Sequence, residues 1–354
     1  MKLFVTLERR NGKRSEMMNI KRWLALVGAA VLLAISIGMN SLLSIASVDW
    51  DAMLNPDELL GTSIAGGEVI VEDGDFEKRI AVVKVNGAIQ DVGSGSLLSA
   101  VEYDHQFTLN QLQAIKEDET VKGVLLEVDT PGGGVYESRQ LYDAIIELKE
   151  ARDIPIYVSM GSMAASGGYY ISAPADKIYA YSETWTGSIG VIMQGINYGQ
   201  LAEEYGIVFE TLKSGPYKDI MSSTRPMTDE ERVIMQSLVD EAYAEFVTVI
   251  AEGRGMSPEE VRKVGDGRIY TAKQAVNNGL VDEIGDSEAT LQALRADFEL
   301  EDAQVFEYSY ADTSWASLMS VKVAEFLGPS AEERVLNKLL TDYEAPRAMY
   351  LYGE

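Results

Sequence analysis

One segment of the 354-residue chain gathers the features of a nucleophile: Gly161-Ser162-Met163-Ala164-Ala165-Ser166-Gly167-Gly168-Tyr169-Tyr170. Residues 154–160 before it are short, apolar and β-branched, which reads as a buried strand. Tyr169-Tyr170-Ile171-Ser172-Ala173 suits the start of a helix. Ser166 then stands on a strand-to-helix turn, where a side chain is lifted clear of the sheet beside backbone N–H groups that lack helical partners. Its neighbours are almost all Gly or Ala, so a reactant can approach closely. A glycine-rich turn with a capping serine has the same composition, and this stretch alone does not choose between the two. A second glycine turn, Pro131-Gly132-Gly133-Gly134, follows the predicted strand Val124-Leu125-Leu126-Glu127-Val128 and precedes a helix. That is the end of a strand at which α/β proteins collect their sites. Three glycines allow N–H groups to face a ligand, but no Gly-Lys-Ser/Thr follows, so this is not a P-loop. The better use is an oxyanion hole, with one N–H from this loop and one from Gly167. A plain strand-to-helix turn is the alternative.

A serine nucleophile needs a base. The chain has no cysteine and one histidine, His105. A thiol nucleophile, a disulfide framework and a cysteine- or histidine-rich metal site are thereby excluded, and a Ser-His-Asp triad would have to use His105. That residue lies in the polar, turn-like Glu102-Tyr103-Asp104-His105-Gln106 and is expected at the surface. Lysine serves as a base when burial or nearby positive charge lowers its pKa. The candidate is Lys218, in Lys213-Ser214-Gly215-Pro216-Tyr217-Lys218-Asp219-Ile220-Met221. The competing assignment is a solvated lysine paired with Asp219.

The elements that must position these residues alternate. Strands are predicted at 80–85, 121–129, 154–160, 175–180, 186–192, 207–213 and 280–284. Helices are predicted at 108–119, 136–151, 197–205, 228–252, 257–264 and 271–278, the fourth opening on Thr228-Asp229-Glu230-Glu231 with carboxylates near the positive end of the helix dipole. Such alternation means a mostly parallel sheet with helices packed on it.

The net charge of −26 argues against nucleic acid as a partner. The charge is unevenly placed: residues 1–22 hold seven basic and two acidic side chains, a net of +5. Residues 23–48 carry no charge, and 24–46 are mostly Leu, Ile, Val and Ala, long enough to cross a bilayer. With the basic segment before it and Asp49, Asp51, Asp57 and Glu58 after it, the positive-inside rule puts the N-terminus in the cytoplasm and the large domain outside. A cleaved signal peptide ending near Ser44-Ile45-Ala46 is the rival. The organisation read from the chain is a cytoplasmic basic segment (1–22), a transmembrane anchor (23–48), an acidic linker (49–78), a domain (79–340) and an aromatic tail (341–354).

Four ordered stretches together resemble the bacterial signal peptide peptidase A family, serine proteases of the Clp/crotonase fold. They are Pro131-Gly132-Gly133-Gly134-Val135, residues 161–170, Thr186-Gly187-Ser188-Ile189-Gly190-Val191 and Ser214-Gly215-Pro216-Tyr217-Lys218-Asp219. The resemblance covers about residues 80–300, with Pro346-Arg347-Ala348-Met349-Tyr350 similar as well. It implies the short, single-domain form with one anchor, a Ser/Lys dyad of Ser166 as nucleophile and Lys218 as general base, Ser188 orienting the lysine amine, and Gly133 and Gly167 as oxyanion donors. It implies no cofactor and no metal. The expected activity is a membrane-bound endopeptidase for remnant signal peptides and other apolar peptides, homo-oligomeric, with a site shared between subunits as one arrangement. A crotonase-type acyl-CoA enzyme, which would not need Lys218, and a non-catalytic membrane scaffold are the alternatives. The apolar tail is expected to be a substrate of the enzyme itself, entering its groove as an added strand, or else to pack on the domain surface.

Overall fold

The computed structural model describes residues 67–91, 103–309 and 348–352, all within the compact unit Ser63–Glu354. Strands β1 (Gly67–Glu72), β2 (Asp75–Asn86), β3 (Val121–Thr130), β5 (Ile156–Ala165), β6 (Lys177–Ala180), β9 (Glu283–Ile284) and β10 (Ala303–Ser309) form the body of a nine-stranded sheet in the order β1-β10-β2-β3-β5-β6-β9. Every pairing along that path is parallel except β1 with β10. The far half of β5 pairs instead with β7 (Trp185–Gly187), which is antiparallel to β8 (Ile269–Thr271). A short strand, β4 (Gly132–Gly134), stands outside this sheet.

Period-two alternation explains how a parallel sheet is covered on both faces. Ala81, Val83 and Val85 of β2, Val124, Leu126 and Val128 of β3, and Ile156, Val158 and Met160 of β5 enter one apolar core. Their neighbours Ile80, Val82, Leu125 and Tyr157 enter a second, closed by Leu291 and Leu294 of helix α8 (Ser287–Phe298). The first core is covered by α1 (His105–Glu117), α2 (Val135–Arg152), α3 (Gly167–Ser172) and α5 (Asp229–Arg254). Between α3 and α5 lies α4 (Gly199–Glu204); α6 (Pro258–Val264) and α7 (Ala272–Asn277) follow α5. The carboxylates at the head of α5 complete a capping box, Thr228 and Glu231 each bonding the other's backbone N–H.

The structure departs from the expected organisation in four places. The sheet begins at Gly67, so residues 67–78 are strand and tight turn and not linker: β1 pairs antiparallel with β10, with a register shift between Ile70 and Glu72. Residues 207–213 are irregular and pair with no strand among the described residues. Of the stretch 280–284 only Glu283–Ile284 is strand. His105 is buried, 3% exposed, because the Tyr103 hydroxyl meets its Nδ1 at 2.7 Å and Gln140 Oε1 its Nε2 at 3.1 Å. Its polar neighbours are thus its partners and not a sign of exposure. Among the described residues no helix is long and apolar enough to cross a membrane; the expected anchor, residues 23–48, lies outside them.

Candidate active site

Ser166 is the joint between β5 and α3. Its backbone takes φ +54° and ψ −112°, a conformation that costs a non-glycine residue about 1–3 kcal/mol and collects at functional sites. The joint is fixed from both sides: Ser166 N–H donates to Gly187 O at 2.8 Å, and Tyr170 N–H donates to Ser166 O at 2.9 Å. The residue is 1% exposed and its hydroxyl is buried with no hydrogen-bond partner. A buried hydroxyl left without a partner loses solvation it does not recover, so its presence asks for a reason outside packing.

The glycine turn lies against this joint. Gly134 N–H donates to Ile89 O at 2.9 Å and Ile89 N–H donates to Gly132 O at 2.8 Å. The polar groups of Gly132 and Gly134 therefore face Ile89, and those of Gly133 between them face the other way. There they meet the C-terminal tail. Strand β11 (Met349–Leu351) runs antiparallel to β4 with Tyr350 opposite Gly133. Val135 N–H donates to Ala348 O at 3.3 Å and Tyr352 N–H to Pro131 O at 2.9 Å; by the alternation of an antiparallel ladder the Gly133–Tyr350 pair is hydrogen-bonded too. On its other side the tail is bracketed by Ile192, whose N–H and C=O both bond Met349 at 3.0 Å.

The Tyr350 carbonyl lies beside the Ser166 joint. A methyl group built on Gly132, which already has φ +100°, would collide with the Tyr350 oxygen while standing 2.7 Å from Gly167 N. One built on Gly167 would stand 3.1 Å from Gly133 N. The two predicted oxyanion donors, Gly133 and Gly167, are thus brought together around the carbonyl oxygen of one tail residue. The Tyr350 side chain, 1% exposed, fills a pocket against Tyr170 (centroids 5.0 Å apart) and Phe246 (4.6 Å), and its hydroxyl donates to Ala242 O of α5 at 2.9 Å. Burial pushes the pKa of both phenols up, that of Tyr170 to about 12.

Ser188 is 7% exposed, next to Gly187 in β7, with φ +48° and its N–H on Arg268 O at 2.8 Å. Lys218 is not bonded to these residues. It is exposed on a chain of turns, its N–H on Gly215 O at 3.3 Å, and its ammonium makes no hydrogen bond or ion pair among the described residues. Within one chain Ser166, Gly133, Gly167 and Ser188 gather at the joint, and no hydrogen bond ties Lys218 to Ser166 or Ser188. Asp219 is not its partner: that carboxylate is engaged by Lys213 and Arg225. Sequence reasoning missed Ile192, Tyr170 and Phe246 as groove and pocket walls. The doubled aromatic pair Tyr169-Tyr170 was the one available signal, and it reads equally as core.

Residues 149–301 match the model of peptidase family S49, a span that contains Ser166, Ser188 and Lys218. A chain of Enterococcus faecium provisionally named signal peptide peptidase SppA is 43% identical over 352 residues, 95% of this chain and 99% of that one. The chain belongs to peptidase family S49. Other S49 relatives are more distant: a chain of Methanocaldococcus jannaschii provisionally named a protease is 36% identical over 73% of this chain and 82% of its own length. Protease 4 of Salmonella typhi is 35% identical over 60% of this chain and 33% of its own. Membership of this family makes the protein a serine protease acting on peptides, and it decides against acyl-CoA chemistry on the same kind of sheet.

Proposed function

We propose that this S49 peptidase is a membrane-anchored endopeptidase of the Clp/crotonase fold that degrades remnant signal peptides and other apolar peptides, with Ser166 as nucleophile and Lys218 as general base. The observation that carries the reading is the tail lying as an added strand in the groove, its Tyr350 carbonyl between the N–H groups of Gly133 and Gly167 beside the buried, unpartnered Ser166 hydroxyl. A neutral Lys218 amine takes the Ser166 proton as Oγ attacks the peptide carbonyl carbon. The two glycine N–H groups hold the resulting oxyanion. Lys218 returns the proton to the leaving amine, and water then hydrolyses the acyl-enzyme by the same route. Ser188 aims the amine.

Recognition through backbone groups on both sides of the peptide, from Gly132–Gly134 and from Ile192, accepts any extended segment, and the aromatic pocket favours apolar ones. Applied to the tail itself, the same geometry predicts a cut after Tyr350 that releases residues 351–354. The exposed, unpartnered Lys218 supports a homo-oligomer in which one subunit's lysine completes a neighbour's site. So do the exposed apolar side chains of Tyr205, Val208, Leu212 and Val233 in the segments before and after it in the chain. The uncharged stretch 23–48 after the basic segment 1–22 supports a single-pass anchor with the N-terminus in the cytoplasm and the catalytic domain outside. The test is labelling of the full chain with a serine-directed phosphonate and hydrolysis of an apolar peptide. Wild type should do both, and Ser166→Ala and Lys218→Ala neither. Labelling of Ser162 with Ser166→Ala still active would refute the assignment.

A further inference from the structure

The loop that carries Lys218 is held by charges that all avoid the lysine. Arg225 Nε donates to Asp219 Oδ2 at 2.8 Å, and its Nη2 donates to Asp219 Oδ1 at 2.6 Å and to the Asp219 carbonyl at 3.2 Å. Its Nη1 donates to Glu231 Oε2 at 2.8 Å and to Pro226 O at 3.0 Å. Lys213 Nζ donates to Asp219 Oδ1 at 2.6 Å and to Pro216 O at 3.0 Å. Glu231 is 1% exposed and closes the capping box of α5 through Thr228 N–H at 2.9 Å. Residues on both sides of Lys218 are thus clamped to the head of a long helix, and both oxygens of the adjacent carboxylate are occupied.

We infer that Arg225 is a positioning residue for the catalytic base: it sequesters the Asp219 carboxylate and ties the loop to α5, leaving the Lys218 amine unpaired and free to give up its proton. The inference rests on Lys218 being the base. The reasoning is electrostatic. An opposite charge within a few ångströms shifts an ionisation by about 1–3 units in favour of the charged form, and Asp219 is the next residue in the chain. A free Asp219 would hold Lys218 as an ammonium, which cannot accept the Ser166 proton. Arg225 supplies a planar fork that matches a carboxylate bidentately and does not itself deprotonate. Two cations and two anions meet in the cluster, so it adds no net charge beside the base. Arg225 and then Lys213 hold the Asp219 carboxyl well below the usual carboxylate range, and Arg225 draws that of Glu231 down to about 2. The other element tied to this loop is α4, through Tyr198 N–H on Ser223 O at 2.8 Å; its Glu203 and Glu204 are exposed and outside the cluster.

The experiment is the pH profile of kcat/KM for the full chain on an apolar peptide substrate, from about pH 6 to about pH 11. Arg225→Gln should move the half-maximal pH upward by about 1–3 units and lower activity near neutrality about tenfold or more, with recovery toward the wild-type plateau in alkali. Arg225→Lys should shift it less. Asp219→Asn should not raise the midpoint, since it removes the carboxylate with its clamp, and Arg225→Gln with Asp219→Asn should restore the wild-type midpoint. A role confined to loop folding predicts a different pattern: Arg225→Gln and Asp219→Asn both lower activity by one factor at every pH. That pattern, or an unmoved midpoint in both Arg225 variants, overturns the inference. Activity in Lys218→Ala would overturn the reading of the base instead, so the two failures are told apart.

Discussion

Replacing Tyr350 by alanine tests whether the tail is held as a substrate. The residue is 1% exposed, its ring stacked on Tyr170 and tilted against Phe246, with its hydroxyl 2.9 Å from Ala242 O. Its removal forfeits about 1.5–3 kcal/mol of apolar burial, about 0.5–1.5 kcal/mol for each aromatic contact and about 1 kcal/mol for the hydrogen bond. Freeing the side chain and the strand returns part of this as entropy, so a net loss of about 3 kcal/mol is expected, roughly 100-fold in tail occupancy. Tyr350→Phe keeps the stacking and loses only the hydroxyl contact, about 1 kcal/mol or roughly fivefold. The assay is intact-mass spectrometry of the full chain over time, with a competing apolar peptide present so that occupancy of the groove sets the rate. Wild type should lose residues 351–354, Tyr350→Phe should do so several-fold more slowly, and Tyr350→Ala at least 100-fold more slowly. Cleavage of Tyr350→Ala at the same bond, within threefold of the wild-type rate, would refute the argument from the pocket. Equal trimming of Ser166→Ala would assign the cut to another protease.

Ser166→Ala should abolish peptide hydrolysis with thermal stability unchanged or slightly raised, because the oxygen removed is buried and unpartnered; paired activity and melting curves check this. Lys218→Arg should be inactive at every pH, because a guanidinium does not give up its proton, and Ser188→Ala should lose a smaller factor, since it removes one orienting hydroxyl. Gly132→Ala should abolish activity and lower the melting temperature, since Gly132 has φ +100° and the methyl would collide with the peptide oxygen in the groove and stand 2.7 Å from Gly167 N; circular dichroism and the peptide assay separate the two effects. Glu231 is drawn from an ordinary 4.5 to about 2 by Arg225 and by the Thr228 N–H. Its depressed value means stability that is present above pH 4.5 and lost as pH falls toward 2. The wild-type melting temperature should therefore fall more between about pH 5 and about pH 3 than that of Glu231→Gln.

The parts of this site that local chemistry encodes were legible in the sequence. Alternating β-branched runs fixed most strands, the Gly/Ala run around Ser166 announced a turn, and three successive glycines announced backbone groups turned toward a ligand. What was not legible depends on contacts far apart in the chain. His105 looks solvated because its sequence neighbours are polar, yet Gln140 comes to it through the packing of α2 on α1, and its neighbour Tyr103 turns its hydroxyl onto the other ring nitrogen. Residues 67–78 look like a linker because β1 exposes Val69, Ile70 and Val71 at the sheet edge and owes its order to backbone pairing with β10, which leaves no side-chain period. The groove wall at Ile192 is likewise a matter of backbone bonds alone.

Lys218, the proposed base, shows why the same reasoning must fail for a charged loop. By sequence its natural partner is Asp219, and adjacency gives no means of telling a paired lysine from a free one. The answer lies with Arg225 and Glu231, whose fork and carboxylate converge only because the loop 214–226 returns to the head of α5. A lysine base must be placed close to opposite charges, which hold its loop, and kept out of their reach, so that its amine can give up its proton. That demand is met by a cluster that spends every carboxylate oxygen on some other cation. It leaves the lysine as the unpaired member of a charged neighbourhood, and an unpaired cation is the kind of residue that reads in a sequence as ordinary surface.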